Sequence, residues 1–584
     1  MKNFFGRVFS TVIGIFVFCA IFFGLFLMLI LIGSAENWFS KKGIKENSIL
    51  EIRLDDKISE GPTDTKSSFL SFSDKNTIYY KDILDIISSA KDDENIKGIS
   101  LKLSSFNGGE TQRDEIRRVL QDFKKSGKFI YSYINNSDQD SYYISTIADS
   151  LFLNPVGEID FAGKSIDVQF YKNLGDKYGI DFQVIRHGAY KSAVEPFIRT
   201  DLSPENELQL TELLTGIWSN MIVDISKSRK IDTAKLNTIA DSLYSMIPNN
   251  ALQNKLVDEL VQESEYDKIL MKKMKVSEKE DLNLISIEEY QPESKEKYSG
   301  DHNIAIIYAS GQIFNGKGSD GIYSEDFKTL IQDIKEDEDI KAVVLRVNSP
   351  GGSANASDEI LFELQQLQAK KPLVVSFGEY AASGGYYISM AADKIYSEKN
   401  TLTGSIGVLG MIPSFKQMAN NVGITTDKVQ TNANASFSPF EKLSEGTKSI
   451  LEKSIESTYL RFTSVVGKNR KMNFKQVDAI GGGRIWTGDK AKEIGLVDAL
   501  GSLDDAIQFA AEKAKIKDDF RVESYPKAKD EFQEFMNNLS GKNAASEILK
   551  AELGEENYQI YSDIKAIKSS SGIMMLIPMK IKVN

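Results

Sequence analysis

With 584 residues, 41% of them hydrophobic and 26% charged, the chain is long enough for several domains and too apolar to be disordered. A net charge of −12 without a basic cluster excludes the electrostatic footprint of a nucleic-acid binder. The single cysteine, Cys19, excludes a disulfide framework, and two histidines, His187 and His302, make no metal-ligand set, so neither metal nor cofactor is expected.

The first element in chain order is a stretch without charge, residues 8–33, made mostly of Phe, Ile, Leu and Val. As a helix rising about 1.5 Å per residue it crosses a hydrocarbon core of ~30 Å with some tilt. It also exceeds the apolar region of a signal peptide, about 7–15 residues. Residues 1–45 are therefore expected to be a short tail and a transmembrane anchor whose partner is the lipid bilayer. Gly33-Ser34-Ala35 offers a small-residue cleavage pattern, so removal after Ala35 is the alternative. Lys2 and Arg7 precede the span and Lys41, Lys42 and Lys45 follow it, so flanking charge does not orient it. A short tail before a large domain is compatible with a signal anchor that exports the bulk of the chain.

Beyond the anchor the chain repeats itself. Ile96-Lys97-Gly98-Ile99-Ser100-Leu101 matches Ile340-Lys341-Ala342-Val343-Val344-Leu345, and Tyr142-Tyr143-Ile144-Ser145 matches Tyr386-Tyr387-Ile388-Ser389, a spacing of 244 residues. Lys227-Ser228-Arg229-Lys230 pairs with Lys468-Asn469-Arg470-Lys471, and Leu256-Val257-Asp258 with Leu496-Val497-Asp498, at a spacing near 240. A spacing held over most of the chain means a duplicated domain. Copy one is expected over 46–275, a charged linker over 276–300, copy two over 301–525 and a polar tail over 526–584. The last apolar patch, 573–581, has no evident role.

Within each copy short β-type runs alternate with helical patterns, which predicts an α/β unit with a largely parallel sheet. In copy one a long helix is expected over 204–227. In copy two, 304–308 and 342–347 read as buried strands, 357–368 as a helix with Leu361, Leu364 and Leu367 on one face, and 371–377 as a returning strand. A small-residue turn follows, Ala381-Ala382-Ser383-Gly384-Gly385, then a helical pattern over 386–392, a glycine-punctuated segment Thr403-Gly404-Ser405-Ile406-Gly407, and a long helix over 444–467.

The turn is where chemistry is expected. A serine between strand and helix, flanked by residues without bulk, exposes its hydroxyl beside helix N-terminal amides that stabilise negative charge. The plainer role for Ser383 is a helix cap. Comparison of the copies favours a nucleophile. The position of Ser383 falls on Gln139 in copy one, and Lys191 of copy one falls on Asn434 or Ala435 in copy two. One copy keeps a lysine, the other a serine, and neither has both. A serine hydroxyl needs a base, and a neutral lysine amine serves. Lowering a lysine pKa from about 10.4 to about 7–8 costs ~4 kcal/mol of differential solvation, which burial supplies. Tyr190, Ala193, Val194 and Phe197 around Lys191 are consistent with an apolar groove.

At this point the residues resemble a known family. Gly188-Ala189-Tyr190-Lys191-Ser192-Ala193-Val194-Glu195-Pro196-Phe197, Asn348-Ser349-Pro350-Gly351-Gly352, Ala382-Ser383-Gly384-Gly385-Tyr386-Tyr387 and Gly404-Ser405-Ile406-Gly407-Val408 resemble the long form of the signal peptide peptidase A family, protease IV. The resemblance covers nearly everything after the anchor. It implies a Clp-protease/crotonase-like fold in each copy and a membrane-anchored serine endopeptidase with a Ser–Lys dyad. It further implies that released signal peptides and other apolar peptides are the substrates. The assembly it implies is a homotetrameric bowl in the cytoplasmic (inner) membrane, with its sites facing the periplasm or outside. Under it Ser383 is the nucleophile and Lys191 the general base and acid. Gly352, with Gly351, supplies the oxyanion hole, where glycine lets backbone N–H groups approach closely. Ser405 orients the lysine, and Gly384 supports the turn. Copy one keeps Gly108-Gly109 but lacks the serine, so its pseudo-site is expected to be inert.

Three alternatives remain open on the residues. A Ser-His-Asp peptidase would use His187 or His302. A crotonase-type acyl-CoA enzyme shares the implied fold but needs an adenine-phosphate site, against which the acidic balance and export argue. A catalytically inactive membrane-anchored scaffold would explain the repeats without chemistry.

Overall fold

The computed structural model describes residues 44–62, 77–290, 298–319, 321–435, 438–517, 519–527 and 574–576, with residues 13, 14, 16–18, 21, 22 and 24 near the N-terminus. Those eight N-terminal positions are helical and exposed; the remainder of the expected anchor lies outside the described residues. No helix among the described residues is long and apolar enough to cross a membrane.

Each copy is built on its own sheet. In copy one the strand order is Glu259–Leu260, Ser150–Ile159, Phe129–Ser137, Ile96–Leu101, Ser48–Ile52, Leu284–Ser286, and every pair is parallel. In copy two the path runs Ile485–Thr487, Leu402–Gly404, Leu373–Ala382, Ile340–Ser349, His302–Ser310, Phe520–Tyr525. The central strands are apolar and buried along nearly their whole length, as parallel strands covered on both faces must be. One expectation changes. Leu284–Ser286, inside the segment expected as a linker, pairs with Ser48–Ile52 and so occupies the edge that Phe520–Tyr525 occupies in copy two. A three-residue edge strand is too short to show an apolar period.

Helix Ala354–Gln368 shows how local sequence places the helices. Ser353 caps it by accepting from the Ala356 amide at 3.3 Å, and Ile360, Leu361, Leu364 and Leu367 recur at helical spacing on its buried face. The two long helices are equally well started: Ser203 caps Pro204–Arg229 and Ser444 caps Glu445–Arg470. Both end at a lysine in left-handed backbone, Lys230 and Lys471.

Two features join the copies. Helix Glu110–Lys124 of copy one is polar yet buried through Glu110, Gln112, Arg113, Glu115 and Arg117. Its neighbours supply the partners such burial demands. Gln112 donates to Glu60 at 2.7 Å, and Glu60 accepts from Arg346 of copy two at 2.5 Å. Asn400 of copy two donates to Asp114 at 2.7 Å, and Arg118 pairs with Glu398. At the same interface the Thr111 amide donates to the Glu379 carboxyl at 3.0 Å. Part of the Glu379 residue is open to solvent, but its carboxyl is enclosed, and burial together with neighbouring Glu110 pushes its pKa up to about 8.

The second feature is a crossing strand. Asp181–His187 of copy one leaves its own unit and pairs antiparallel with Val408–Ser414 of copy two, from Val408 opposite His187 to Ser414 opposite Asp181. It belongs to a third sheet with the order Ile322–Tyr323, Ile313–Phe314, Gly351–Ser353, Met574–Leu576, Val408–Ser414, Asp181–His187. Most of the expected polar tail, 528–573 and 577–584, lies outside the described residues. Met574–Leu576, within the apolar patch that had no evident role, is a strand of this sheet.

Candidate active site

The strand Leu373–Ala382 carries Ser383 off its C-terminal end, and helix Gly384–Ile388 begins at the next residue. Ser383 has φ 56° and ψ −113°, a region a residue with a β-carbon occupies only under strain. Its side chain makes no capping bond to the helix. The cap that competed with the nucleophile in the sequence is therefore absent, and the hydroxyl is spent elsewhere.

It meets Lys191. The crossing strand ends at His187, the chain turns at Gly188, and the Lys191 side chain reaches into copy two with Nζ 2.8 Å from Ser383 Oγ. Nζ also lies 3.0 Å from Ser405 Oγ and 3.1 Å from the Ser405 carbonyl oxygen. All three residues are fully buried. Among the described residues no carboxylate pairs with Lys191, and burial alone holds its pKa well below the ordinary lysine range. Ser405 Oγ in turn donates to the Gly483 carbonyl at 3.2 Å. A neutral amine has two N–H groups and one lone pair. With Ser405 Oγ and O accepting the two protons, the lone pair is left for the Ser383 hydroxyl.

The lysine is held by backbone contact from copy two. The Tyr190 amide donates to the Gly482 carbonyl at 3.0 Å. Gly483, at φ 83°, lies so close that a β-carbon there would be 2.6 Å from the Lys191 nitrogen. Below the loop is a buried polar network. Ser192 donates to Asn206 at 2.9 Å, Gln209 donates to Ser192 at 3.0 Å, and Asn206 and Ser203 donate to Glu195 at 3.1 and 2.6 Å. Arg186 closes it by donating to the Lys191 carbonyl at 3.0 Å. From the sequence no role is assigned to Arg186, Glu195, Asn206, Gln209 or Gly483, although Glu195 lies in the motif around Lys191. A signal did exist: Asn206 and Gln209 sit on the same buried helix face as Leu210, Leu213 and Ile217, where polar side chains need partners.

Facing the serine is the turn after strand Ile340–Ser349. Gly351, at φ 99°, approaches so closely that a β-carbon on it would lie 2.7 Å from the Gly384 nitrogen, and one on Gly384 would lie 3.1 Å from the Gly352 nitrogen. The Gly351 amide already donates to Ser349 Oγ at 3.2 Å. The Gly352 and Gly384 nitrogens thus lie close together beside the serine. Every residue expected at the site, Ser383, Lys191, Ser405, Gly351, Gly352 and Gly384, lies in this one place.

The histidines lie in other contacts. His187 Nδ1 is 2.6 Å from Glu456, with its ring stacked on Tyr459, and His302 lies 3.7 Å from Asp519. In copy one Gln139, at the serine's position, exchanges hydrogen bonds of 3.0 and 3.1 Å with the Gly163 backbone, and its neighbour Asp140 accepts from Arg113 at 2.7 Å. The pseudo-site is closed by its own hydrogen bonds.

Comparison with known proteins adds an independent observation. Residues 122–277 and 365–517 match peptidase family S49, one stretch in each copy. Protease 4 of Salmonella typhi is 39% identical over 446 residues, covering 75% of this chain and 72% of its own. Protease 4 of Haemophilus influenzae is 35% identical over 76% of this chain and 74% of its own. The chloroplastic serine protease SPPA of Arabidopsis thaliana is 30% identical over 81% of this chain and 70% of its own. Among solved structures, ClpP1 from Listeria monocytogenes is 17% identical with a TM-score of 0.23, covering 34% of this chain and 92% of its own.

Proposed function

The chain belongs to peptidase family S49 and is a serine peptidase, and from that premise we propose that it cleaves with a Ser383–Lys191 dyad assembled from its two copies. The observation that carries this reading is the 2.8 Å contact between a serine in strained backbone and a fully buried amine that no carboxylate pairs with among the described residues. Ser383 Oγ attacks the peptide carbonyl carbon while its proton passes to the Lys191 lone pair. The oxyanion forms against the Gly352 and Gly384 amides. The Lys191 ammonium then protonates the departing amine, and a water that gives its proton to Lys191 hydrolyses the acyl ester. Ser405 orients the amine throughout.

The proposed substrates are released signal peptides and other apolar peptides. An apolar cluster beside the dyad, Val194 from copy one with Leu409 and Met574 from the rest of the chain, supports that preference. Residues 8–33 would anchor the enzyme in the cytoplasmic membrane with its site on the outer side, and each copy would be of the Clp-protease/crotonase type. The functional unit would be a homotetramer.

The test is hydrolysis of an apolar signal-peptide sequence by the full chain in detergent. Ser383→Ala and Lys191→Ala should each lower kcat by at least about a thousandfold while leaving circular dichroism unchanged. Retention of activity by Lys191→Ala would overturn the dyad and return attention to His187 and His302.

A further inference from the structure

The loop 481–484 joins helix Phe474–Ile480 to strand Ile485–Thr487 and touches both parts that hold the amine. The Gly482 carbonyl accepts from the Tyr190 amide at 3.0 Å, one residue before Lys191. The Gly483 amide donates to the Ile406 carbonyl at 2.8 Å, and the Arg484 carbonyl accepts from the Ser405 amide at 2.7 Å. Three glycines let this backbone come close to its neighbours but give it no side chain with which to hold them. Arg484 is the first residue of the loop that has one.

Its guanidinium lies over two aromatic rings, 4.9 Å from the Tyr190 centroid and 4.2 Å from the Trp486 centroid, and pairs with Glu212. Tyr190 and Glu212 belong to copy one, Arg484 and Trp486 to copy two. Glu212 stands on helix Pro204–Arg229, which also carries Gln209. Gln209 donates to the Tyr190 carbonyl and accepts from the Ile485 amide, both at 3.3 Å, so one helix grips the chain on either side of the stack. Arg484 Nε is enclosed with no hydrogen-bond partner among the described residues, which leaves ring contact and the Glu212 pair to fix the group. At the spacing of 240, Asp241-Ser242-Leu243-Tyr244 of copy one takes the place of Gly481-Gly482-Gly483-Arg484. The copy without the serine has neither the glycines nor the arginine.

We propose that Arg484 is a positioning residue of the peptidase, which clamps the lysine loop against Ser405 and screens the Lys191 amine from water. This rests on the Ser–Lys reading above. Arg484 acts through Tyr190 on one side and through its own carbonyl, which holds the Ser405 amide, on the other. The other charged groups of the neighbourhood are engaged elsewhere. Arg186 donates to the Lys191 carbonyl, and Glu195 accepts from Ser203 and Asn206. His187 lies against Glu456 and Tyr459, and the Tyr459 hydroxyl donates to Asp478. Among the described residues no charged side chain reaches the amine, whose neighbours are Ser383 and Ser405. Its neutrality therefore depends on the exclusion of water, and Arg484 keeps the wall on the Tyr190 side closed.

Hydrolysis of an apolar peptide by the full chain in detergent, followed across pH for Arg484→Leu, Arg484→Lys and Glu212→Gln, tests this. In Arg484→Leu water reaches the amine and favours its protonated form, so the acid limb of kcat/KM should move to higher pH. At neutral pH kcat should fall about a hundredfold, as for a misplaced catalytic group, with KM changed by less than about twofold. The loss should shrink as pH rises, because the amine is then neutral in both proteins. Arg484→Lys keeps a charge opposite Glu212 but no planar face for the rings, so it should recover part of the rate and part of the limb. Glu212→Gln alters a side chain that is 52% exposed, so the fold is kept, and the limb should move the same way by less. Limbs that stay in place across these variants, even with a lowered melting temperature, would overturn the proposal, since a merely structural residue gives that result. Activity retained by Lys191→Ala would instead overturn the Ser–Lys reading, an outcome that no shift in the Arg484 series imitates.

Discussion

At the scale of single residues, Lys191 sets both the chemistry and a cost. In the unfolded chain it titrates near 10.5, whereas in the folded chain burial holds its pKa well below that value. Below pH 10.5 the unfolded state therefore binds more proton than the native state, and stability attributable to this residue rises with pH. Lys191→Met removes that dependence. Its stability relative to the parent chain should be greatest below the folded-state Lys191 pKa and shrink as the pH rises toward 10.5, as read by urea denaturation across the series. A difference that stays constant with pH would sink the neutral-amine reading. For the parent enzyme the same depression means that kcat/KM is lost as pH falls through the Lys191 pKa, because the protonated amine cannot accept the serine proton.

At the scale of elements, the lysine loop and the glycine loop of copy two behave as one part. Gly188 at φ 106° and Gly483 at φ 83° allow two backbones to touch where neither tolerates a side chain. Gly483→Ala would place a methyl group 2.6 Å from the Lys191 nitrogen and 2.7 Å from its Cβ, so the loop must withdraw. The expected outcome is a fall in kcat of about a hundredfold, the loss that a 1 Å misplacement of a catalytic group produces, with little change in melting temperature. Wild-type kcat in this variant would show that the loop does not position the amine. The serine side is built differently. Ser383 stands at the strained end of a strand buried except at Glu379 and Tyr380, and copy one touches that strand through the Thr111 amide, which donates to the Glu379 carboxyl.

At the scale of the whole molecule, duplication leaves two segments without the pairing of their counterparts. Copy one lends Asp181–His187 to Val408–Ser414 of copy two. By the spacing of 244 residues, the counterparts of these strands are 425–431 and 164–170, and neither forms a strand among the described residues. Val429 in the first is fully exposed. The second is already engaged within its own chain: Lys164 pairs with Glu110 and Asp140, and Ile166 and Val168 pack against the cluster of Leu210, Leu213, Leu402 and Ile485.

The sequence by itself determined the duplication, the alternation of strand and helix, and the split of serine and lysine between copies. It also marked the glycine turns that surround the serine. These are legible because each is written in a short run: residues without side chains where backbones must touch, apolar periods where a face is covered, and one motif compared with its own repeat. It misjudged the segment around Leu284–Ser286, a strand too short to have a period, and it gave no role to the patch holding Met574 and Met575. Only the tertiary structure decided that Lys191 is stripped of water, that Glu195, Asn206 and Gln209 hold its loop, and that a piece of the tail lies between the strands beside the serine. Each of these depends on a surface assembled from parts remote in the chain, as with Lys191 and Ser383, 192 residues apart. Solvation is a property of that assembled surface, and no local run of residues encodes it.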